Sequence, residues 1–482
     1  MRNPYFAARC LTITGLLFAT SLSAQNRAVV RTEAPRLVDG PVGVGRKIGA
    51  PTSTANTNRT VAERVAELME ARYVSPSAGR RAGSVVRAAI RRGAYDRIGT
   101  DELLASALAA DLRGVVKDGH LDVFVDRSLV ASMSKPSSSA WDPGSSKPDE
   151  TGRRENHGLR HLEVLAGNIG YLEVREFAAP AEDLERAYAS ALTFLKNADA
   201  IVIDLRRNGG GHGSSATLLA GGFFAAPVRF VDHYDRPSDR RTEGWTPATI
   251  PWQRRPEVPL YVLTSKATYS AAEAIAYGLQ ATGRATIVGE ATGGGAHPTE
   301  YKAVSQSIVL ALPESRSEHP VTRRNWQDVG VQPEVIVAAD AALERAHLLA
   351  LERIRSDAAD PTRREALAWD IEYARSRAAP AVVEPGVLKE LAGRYGLRDL
   401  SYEPPSDEKD AGPGSLFYRL EGRPRFQLFP VMVDGTRIRF VLDENDRVEM
   451  TRRADGVIEM RKFDRSGQSV SATRSTPGQP SK

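Results

Sequence analysis

Cysteine is nearly absent from this chain of 482 residues, and the one cysteine, Cys10, lies close to the start. Residues 1–24 carry Arg2 and Arg9, then an apolar run from Cys10 to Leu22, then small residues, a pattern typical of a secretory signal peptide. The run is shorter than the about 20 apolar residues of a membrane-spanning helix, although an uncleaved anchor is the alternative. We therefore expect an exported chain, periplasmic or secreted, with no stable membrane insertion after cleavage. Loss of Cys10 would exclude a disulfide, a thiolate nucleophile and a cysteine metal site.

The chain also lacks a large excess of one charge. It has 65 lysines and arginines against 60 acidic residues, a net charge of +5. Nucleic-acid-binding proteins concentrate basic residues in a patch or stripe, and no such run occurs here, so we expect no nucleic-acid partner. Neither a His-Glu-x-x-His motif nor a cluster of histidines and acids is present in the sequence. We therefore predict no metal and no cofactor.

Changes in composition and in hydrophobic pattern divide the chain into segments. Val61, Val65, Leu68 and Met69 lie on one face of a helix, whereas short apolar runs between Gly, Asn and Asp near the C-terminus are typical of antiparallel strands. The expected segments are a linker at 25–57, an N-terminal helical cap domain at 58–132, a flexible connector at 133–158, an α/β core at 159–360, a helix and linker at 361–385, an antiparallel β domain at 386–466 and a disordered tail at 467–482.

The middle third alternates apolar strands with helices. We predict strands at 169–174, 200–205, 260–264 and 286–289, and helices at 181–197, 214–223 and 270–281. The strand at 200–205 is so apolar that both of its faces must be buried. A strand, helix, strand order at this spacing predicts right-handed crossovers and a mainly parallel sheet, which is the α/β fold class.

Ser270 is the first candidate for chemistry, because a buried strand ends at 264 and a helix opens at Ser270. Unsatisfied backbone N–H groups and the positive end of the helix dipole at such a place would stabilise an oxyanion formed when the serine attacks a carbonyl. The alternative is structural, since Ser270 and Glu273 form a complete capping box. Local sequence leaves both interpretations open.

Two glycine-rich loops follow other predicted strands, at 208–213 and 289–298. Three loops at the C-terminal ends of parallel strands line one crevice, where open α/β sheets bind ligands. The candidate bases near these loops are His212, His297 and, at the end of the helical segment, His120. A lone histidine is more often a structural hydrogen-bonding group than a base.

Taken together, five blocks in this order resemble the C-terminal processing (tail-specific) serine peptidase family. The similarity is to the branch with the tricorn protease core and the interphotoreceptor retinoid-binding protein repeats, and it covers roughly residues 60–355. The blocks are Asp118-Gly119-His120, Asp204-x-Arg206-x-Asn208-Gly209-Gly210-Gly211, Thr264-Ser265-x-x-Thr268-x-Ser270-Ala271-Ala272-Glu273, Gly289-Glu290-x-Thr292-x-Gly294-Gly295-Ala296-His297-Pro298 and Asn325-Trp326-x-x-x-Gly330-Val331-x-Pro333. The resemblance implies a ClpP/crotonase-like core and assigns roles by position. Ser270 is the nucleophile and His120 the base, and the N–H groups of Ala271 and Gly210, or next Gly209, form the oxyanion hole.

Two positions depart from the family pattern. Gly295 stands where the other branch of the family carries a lysine base, so a histidine base is required, and Lys266 and Lys302 are expected in solvent. Gln327 stands where relatives carry a glutamate that orients the histidine, and Asp328 follows it. An amide in place of a triad carboxylate costs about 10⁴ in rate elsewhere. Either Asp328 takes over, or activity is weak, or the chain is a non-hydrolytic relative.

The resemblance therefore implies an exported serine peptidase that acts on unfolded polypeptides or peptide tails through an acyl-enzyme on Ser270. The orienting partner of His120 is expected from the Gln327–Asp328 pair. The alternative function is a catalytically weak or dead protein that binds an apolar small molecule or a peptide in the same crevice.

Overall fold

A computed structural model describes residues 53–133, 150–378, 380–405 and 414–475. The predicted signal peptide, which contains Cys10, lies outside these residues. So do most of the predicted linker and residues 134–149 of the predicted connector. The first described segment, which we call the N-terminal unit, holds helices and one strand. They are α1 (Ser53–Arg72), α2 (Pro76–Arg91), α3 (Asp101–Arg113), β1 (Asp122–Val125) and α4 (Arg127–Met133). Helix α1 thus begins inside the predicted linker.

The core follows from residue 150. Its elements are α5 (Glu150–Arg154), β2 (Leu159–Leu165), β3 (Ile169–Val174), α6 (Glu182–Phe194), β4 (Ala200–Asp204), α7 (Gly213–Gly221), β5 (Asp232–Asp235), β6 (Arg240–Thr242), β7 (Leu260–Thr264), α8 (Ala271–Ala281), β8 (Thr286–Gly289), β9 (Thr299–Ala303), β10 (Ile308–Pro313), β11 (Ser315–Glu318), β12 (Val335–Ile336), α9 (Ala342–Asp357) and α10 (Pro361–Ala378). The end of the predicted flexible connector is therefore ordered, since α5 and a 3₁₀ turn at Asn156–Gly158 occupy it.

The central sheet of the core confirms the predicted α/β class. Its six strands lie in the order β12-β8-β7-β4-β3-β2. Neighbouring strands from β3 to β12 run parallel, and only β2 pairs antiparallel, at the edge. The apolar strands β4 and β7 are buried throughout, because helices cover both faces of the sheet. The strand ends that carry the Ser270 loop and both glycine loops meet at one edge, as parallel strands require.

The N-terminal unit shares its hydrophobic core with a strand that is distant in sequence. Strand β1 pairs antiparallel with β10, which places Val123 opposite Leu310. Leu310, with Ile308 and Leu312, packs among the apolar faces of α1, α2 and α3. Helix α3 begins where the Thr100 side chain accepts a hydrogen bond from the Leu103 N–H, an N-cap visible in the sequence. The unit is therefore fused to the core through β10 and is not a free-standing bundle.

The C-terminal β domain is a meander with its own core. Its elements are α11 (Pro385–Leu391), β13 (Gly393–Tyr395), β14 (Arg398–Glu403), β15 (Ser415–Leu420), β16 (Arg425–Asp434), β17 (Arg437–Val441), β18 (Asp446–Arg452), β19 (Ile458–Asp464) and β20 (Ser469–Thr473). The strands pair antiparallel in chain order, and the Ser475 N–H donates to the Arg394 carbonyl at 2.8 Å, which joins the two ends of the sheet. Strand β20 corrects the predicted disordered tail: its polar sequence gives no strand signal, and pairing with β19 creates it.

Helix α10 connects this β domain to the core. Its apolar residues Leu367, Ile371 and Ala374 belong to the core cluster under α9. Its other side meets the β domain through both polar and aromatic groups. Arg447, with a fully buried side chain, donates to the Glu372 carboxylate at 2.9 Å, and the ring of Trp369 lies 6.0 Å from that of Phe463 between centroids. In the part of the chain that the structure describes, no helix has both the length and the apolar character needed to cross a bilayer.

Candidate active site

Ser270 occupies the N-cap position of α8 in a conformation that non-glycine residues rarely adopt, with φ 55° and ψ −117°. Such a backbone costs about 1–3 kcal/mol and persists only where its surroundings impose it. The Glu273 carboxylate accepts from the Ser270 N–H at 2.9 Å, which is one half of the predicted capping box. The Ser270 hydroxyl lies 3.0 Å from Nε2 of His120. The predicted capping box is thus present, and the Ser270 hydroxyl also faces a histidine.

Glu273 ties the start of α8 to the second glycine loop. Its side chain is fully buried and accepts from the N–H groups of Gly294 and Gly295, each at 2.7 Å, and from the Thr292 hydroxyl. Burial raises the pKa of this carboxyl, and the hydrogen bonds oppose that rise. A complete set of donors is what a buried carboxylate requires. Glu273 therefore fixes both the backbone of Ser270 and the loop that faces it.

His120 is held over Ser270 by β1 and by Tyr269. The rings of His120 and Tyr269 lie 4.7 Å apart between centroids, and the Tyr269 hydroxyl is 3.4 Å from Nδ1 of His120. Burial lowers the pKa of His120, although the charge of Asp118 opposes the change. The imidazole is therefore neutral at pH 7, the form that can accept a proton from the serine.

Asp118 is the residue that sequence reasoning quoted in a motif but left without a role. Its side chain is 1% exposed, and its carboxylate accepts from Nδ1 of His297 at 2.8 Å, from the Tyr73 hydroxyl at 3.0 Å and from the His120 N–H at 3.0 Å. Burial disfavours the charged form of Asp118, but these hydrogen bonds outweigh it and hold the pKa below its usual value. Its Oδ1 lies 3.9 Å from Nδ1 of His120.

The predicted oxyanion-hole amides are in part differently engaged. Gly210 has φ 110°, and a Cβ there would lie 2.8 Å from Cβ of Ser270, so only glycine fits against the serine. Its N–H donates to Oδ1 of Asn208 at 2.8 Å, so this amide already has an acceptor, and its role at the oxyanion stays a prediction. Ala271, in the first turn of α8, has an N–H without an intrahelical acceptor. Gly209 and Gly211 line the same cavity as Ser270 and Ala271.

Gln327 and Asp328 bond to each other and not to His120. Oε1 of Gln327 accepts from the Ala296 N–H at 2.8 Å, and its Nε2 donates to Oδ1 of Asp328 at 2.8 Å. Asp328 is exposed. Among the described residues, neither Gln327 nor Asp328 makes a hydrogen bond to His120, although one of them was expected to orient it. Both ends of the Gln327 amide are already bonded, to Ala296 and to Asp328.

The other candidate bases make no hydrogen bond to Ser270 among the described residues. His212 is exposed before α7, and His297 turns toward Asp118. Lys266 is exposed, and Lys302 pairs with Glu314 at 3.2 Å. The Tyr269 ring fills the space beside Gly295, so a Cβ there would clash with the ring. A lysine at this position, as in the other branch of the family, would require Tyr269 to move.

A cavity of about 930 Å³ opens over Ser270 between the N-terminal unit and the core. Aromatic side chains from strands and loops that are distant in sequence line it, among them Phe124, Trp245, Tyr301 and Trp326. Trp245 and Tyr301 are about half exposed, so they present open apolar surface. No group of three or more potential metal ligands lies together within the described ranges. A serine hydroxyl against a neutral histidine, beside an unengaged amide at a helix start, defines a site of the serine-hydrolase class.

Comparison with known proteins gives the family. Residues 168–337 match the model of peptidase family S41, and residues 53–155 match the model described as the N-terminal domain of Peptidase_S41 in eukaryotic IRBP. Residues 168–337 are therefore a domain of peptidase family S41, the serine peptidase domain of this chain, and this match confirms the resemblance found in the sequence. The second match begins at the first residue of α1 and ends after α5, so it contains the whole N-terminal unit with His120.

Individual relatives match part of the chain. A protein of Synechocystis sp. named carboxyl-terminal-processing protease is 28% identical over 170 residues, which are 35% of this chain and 38% of the relative. A protein of the same name from Picosynechococcus sp. is 28% identical over 171 residues, 35% of this chain and 39% of the relative. This chain thus spans under half the length of these relatives. The solved photosystem II D1 C-terminal processing protease is 16% identical with a TM-score of 0.41, covering 59% of this chain and 94% of its own.

Proposed function

We propose that this protein is an exported serine peptidase that hydrolyses peptide bonds of unfolded polypeptides or peptide tails, with Ser270 as nucleophile and His120 as base. The observation that carries the proposal is the 3.0 Å contact between the Ser270 hydroxyl and Nε2 of His120. These two residues are 150 positions apart in the sequence. A merely structural N-cap serine has no need of a partner from another unit.

The mechanism follows from this geometry. His120 Nε2 takes the hydroxyl proton while Oγ of Ser270 bonds to the substrate carbonyl carbon, and the carbonyl oxygen becomes an oxyanion. The Ala271 N–H, with an amide of Gly209 or Gly211, donates to that oxyanion. His120 then gives its proton to the departing amine, which leaves the acyl group on Ser270. Water, deprotonated by His120, attacks the ester and releases the acid and the free serine.

The substrate class rests on the cavity and on the relatives. Both cyanobacterial relatives carry the name carboxyl-terminal-processing protease. In this chain the aromatic walls at Trp245 and Tyr301 suit an extended peptide with apolar side chains, because such rings bury apolar area at low entropic cost. Export is proposed from the signal-like pattern of residues 1–24.

A cleavage assay tests the proposal. The purified chain is incubated with an unfolded, reduced polypeptide, and new termini are read by mass spectrometry. We expect cleavage by the wild type and none by Ser270→Ala, whereas Ser214→Ala, an exposed serine lining the same cavity, keeps the activity. Absence of cleavage by wild type across pH 5–9 would contradict the proposal and favour the alternative, an apolar ligand or peptide held in the crevice without chemistry.

A further inference from the structure

Protonated His120 needs a nearby anion, and the glutamate that supplies it in relatives is replaced by Gln327 in this chain. When His120 takes the serine proton it becomes a cation in a place where burial disfavours charge. Gln327, at the position of the usual glutamate, is neutral and is bonded to Ala296 and Asp328. An anion near Nδ1 of His120 must therefore come from elsewhere.

Other carboxylates close to the site are already committed. Glu273 binds the amides under Ser270, and Asp122 pairs with Arg113 at 2.6 Å on the surface. Asp328 is exposed and accepts from Gln327. Asp118, by contrast, is buried and lies 3.9 Å from Nδ1 of His120.

We propose that Asp118 is the counter-charge that stabilises protonated His120, and that His297 is the positioning residue that holds Asp118 for this purpose. The inference rests on the proposed function, since it explains how His120 works as a base. Asp118 and His297 touch no reacting atom, so both are positioning residues.

The hydrogen bonds around Asp118 specify its orientation. An ionised carboxylate can only accept, so Nδ1 of His297 carries a proton and donates, as does the Tyr73 hydroxyl, and both bond to Oδ2. Oδ1 accepts from the His120 N–H and lies 3.9 Å from Nδ1 of the His120 ring. The arrangement leaves one oxygen facing the imidazole.

His297, which holds Asp118, comes from a different segment of the chain. It comes from the glycine loop of the core, whereas Asp118 and His120 come from the N-terminal unit. The titratable and charged groups that face His120 are Asp118 from its own segment, Tyr269 and Ser270 from the start of α8, and His297 from the glycine loop. Burial is the main cause that lowers the pKa of His120, the charge of Asp118 opposes this change, and His297 adds to it.

A histidine titration tests the coupling without any need for catalysis. The full chain is labelled with ¹³C at histidine Cε1, and His120 is assigned from its lost signal in His120→Gln. In Asp118→Asn we expect the pKa of His120 to fall by about one unit, because the anion is gone while burial remains. In Asp328→Asn, the matched control, the pKa should stay within about 0.2 units of wild type.

The same variants are then compared by fluorophosphonate labelling of Ser270 across pH 5–9. Asp118→Asn should lower the plateau rate by about 10- to 100-fold, less than the about 10⁴-fold for an amide in direct contact with the base. The rise of the rate with pH should also move to lower pH. Equal pKa values and equal rates for Asp118→Asn and Asp328→Asn would overturn the inference. An unreactive wild type would instead contradict the proposed function and leave the titration result to stand by itself.

A second pair of variants covers the case in which Asp118→Asn does not fold. His297→Asn places an amide N–H close to the position of Nδ1, whereas His297→Leu removes the donor. We expect His297→Asn to label at least five times faster than His297→Leu, on the order expected for one hydrogen bond to a charge. Equal rates for the two variants, with both proteins folded by circular dichroism, would contradict the role of His297.

Discussion

The N-terminal unit and the C-terminal β domain flank the same peptidase core but are attached to it in opposite ways. The N-terminal unit adds strand β1 to β10 and mixes its apolar side chains with those of β10. The β domain closes its own core and meets α10 through arginines such as Arg447 and Arg465 and through the Trp369–Phe463 ring pair. Apolar interpenetration makes one folding unit, whereas polar contacts join two surfaces that were already folded.

The site follows the same division. His120 and Asp118 come from the N-terminal unit, and Ser270 comes from the core. Within the described residues, the cavity over Ser270 has no lining residue from the β domain. The shared hydrophobic core therefore positions the base. The reactivity of Ser270 should depend on that core far more than on the appended β domain.

The largest effect is expected from breaking the shared core. Leu310→Asp buries a carboxylate opposite Val123, between β10 and the helices, and should destabilise the protein by about 3–5 kcal/mol. The β1–β10 pairing that carries His120 should loosen, so we expect probe labelling of Ser270 to fall at least 100-fold. Leu103→Asp, the same change at a residue that is 61% exposed on α3, is the control and should label normally. Normal labelling of a folded Leu310→Asp would show that the two cores are not coupled.

A much smaller effect is expected from removing the β domain. A chain that ends at Ala378 keeps Leu367 and Ile371 packed under α9, while Glu372 and Asp370 return to water with their charges solvated. We expect this chain to fold and to label within about twofold of the full protein, because no described residue of the β domain lines the cavity over Ser270. Thermal unfolding, measured alongside labelling, distinguishes a loss of stability from a loss of Ser270 reactivity. An insoluble or unreactive product would mean that the β domain completes the core.

The smallest effect on labelling is expected at the position where relatives carry glutamate. Gln327→Glu would put a second carboxylate 2.8 Å from that of Asp328 and would keep the bond to the Ala296 N–H. We therefore expect a slightly lower melting temperature and an unchanged labelling rate, since His120 already has Asp118. If Gln327→Glu labels more than about fivefold faster, the carboxylate that stabilises protonated His120 belongs at position 327 in the core and not at Asp118 in the N-terminal unit.

Local patterns in the sequence predicted most of the core. The strands at Ile169–Val174, Leu260–Thr264 and Thr286–Gly289 lie where apolar runs between turns place them, and the helix after Ser270 begins at its capping pair. Such signals are local because they depend on burial of neighbouring residues and on unsatisfied helix ends.

Contacts between distant segments could not be predicted in the same way. The β1–β10 pairing joins Asp122 to Ala311, and nothing in either short segment specifies the other. The turn of His297 toward Asp118 and the use of the Gly210 N–H by Asn208 likewise depend on side chains brought together only by the finished fold. Strand β20 exists because β19 offers its edge. These are the points at which prediction from local sequence fails for physical reasons.

The most direct test of the account is the site of fluorophosphonate modification in three proteins: wild type, Ser270→Ala and His120→Ala. Peptide mass mapping of wild type at pH 7 should find the adduct on Ser270. Ser270→Ala should carry none, at a stability cost of about 0.5–2 kcal/mol if the serine also caps α8. His120→Ala, folded and with Ser270 intact, should label at least 100-fold more slowly, because no base remains at 3.0 Å from the hydroxyl. Labelling of His120→Ala at the wild-type rate would contradict the claim that the N-terminal unit supplies the base.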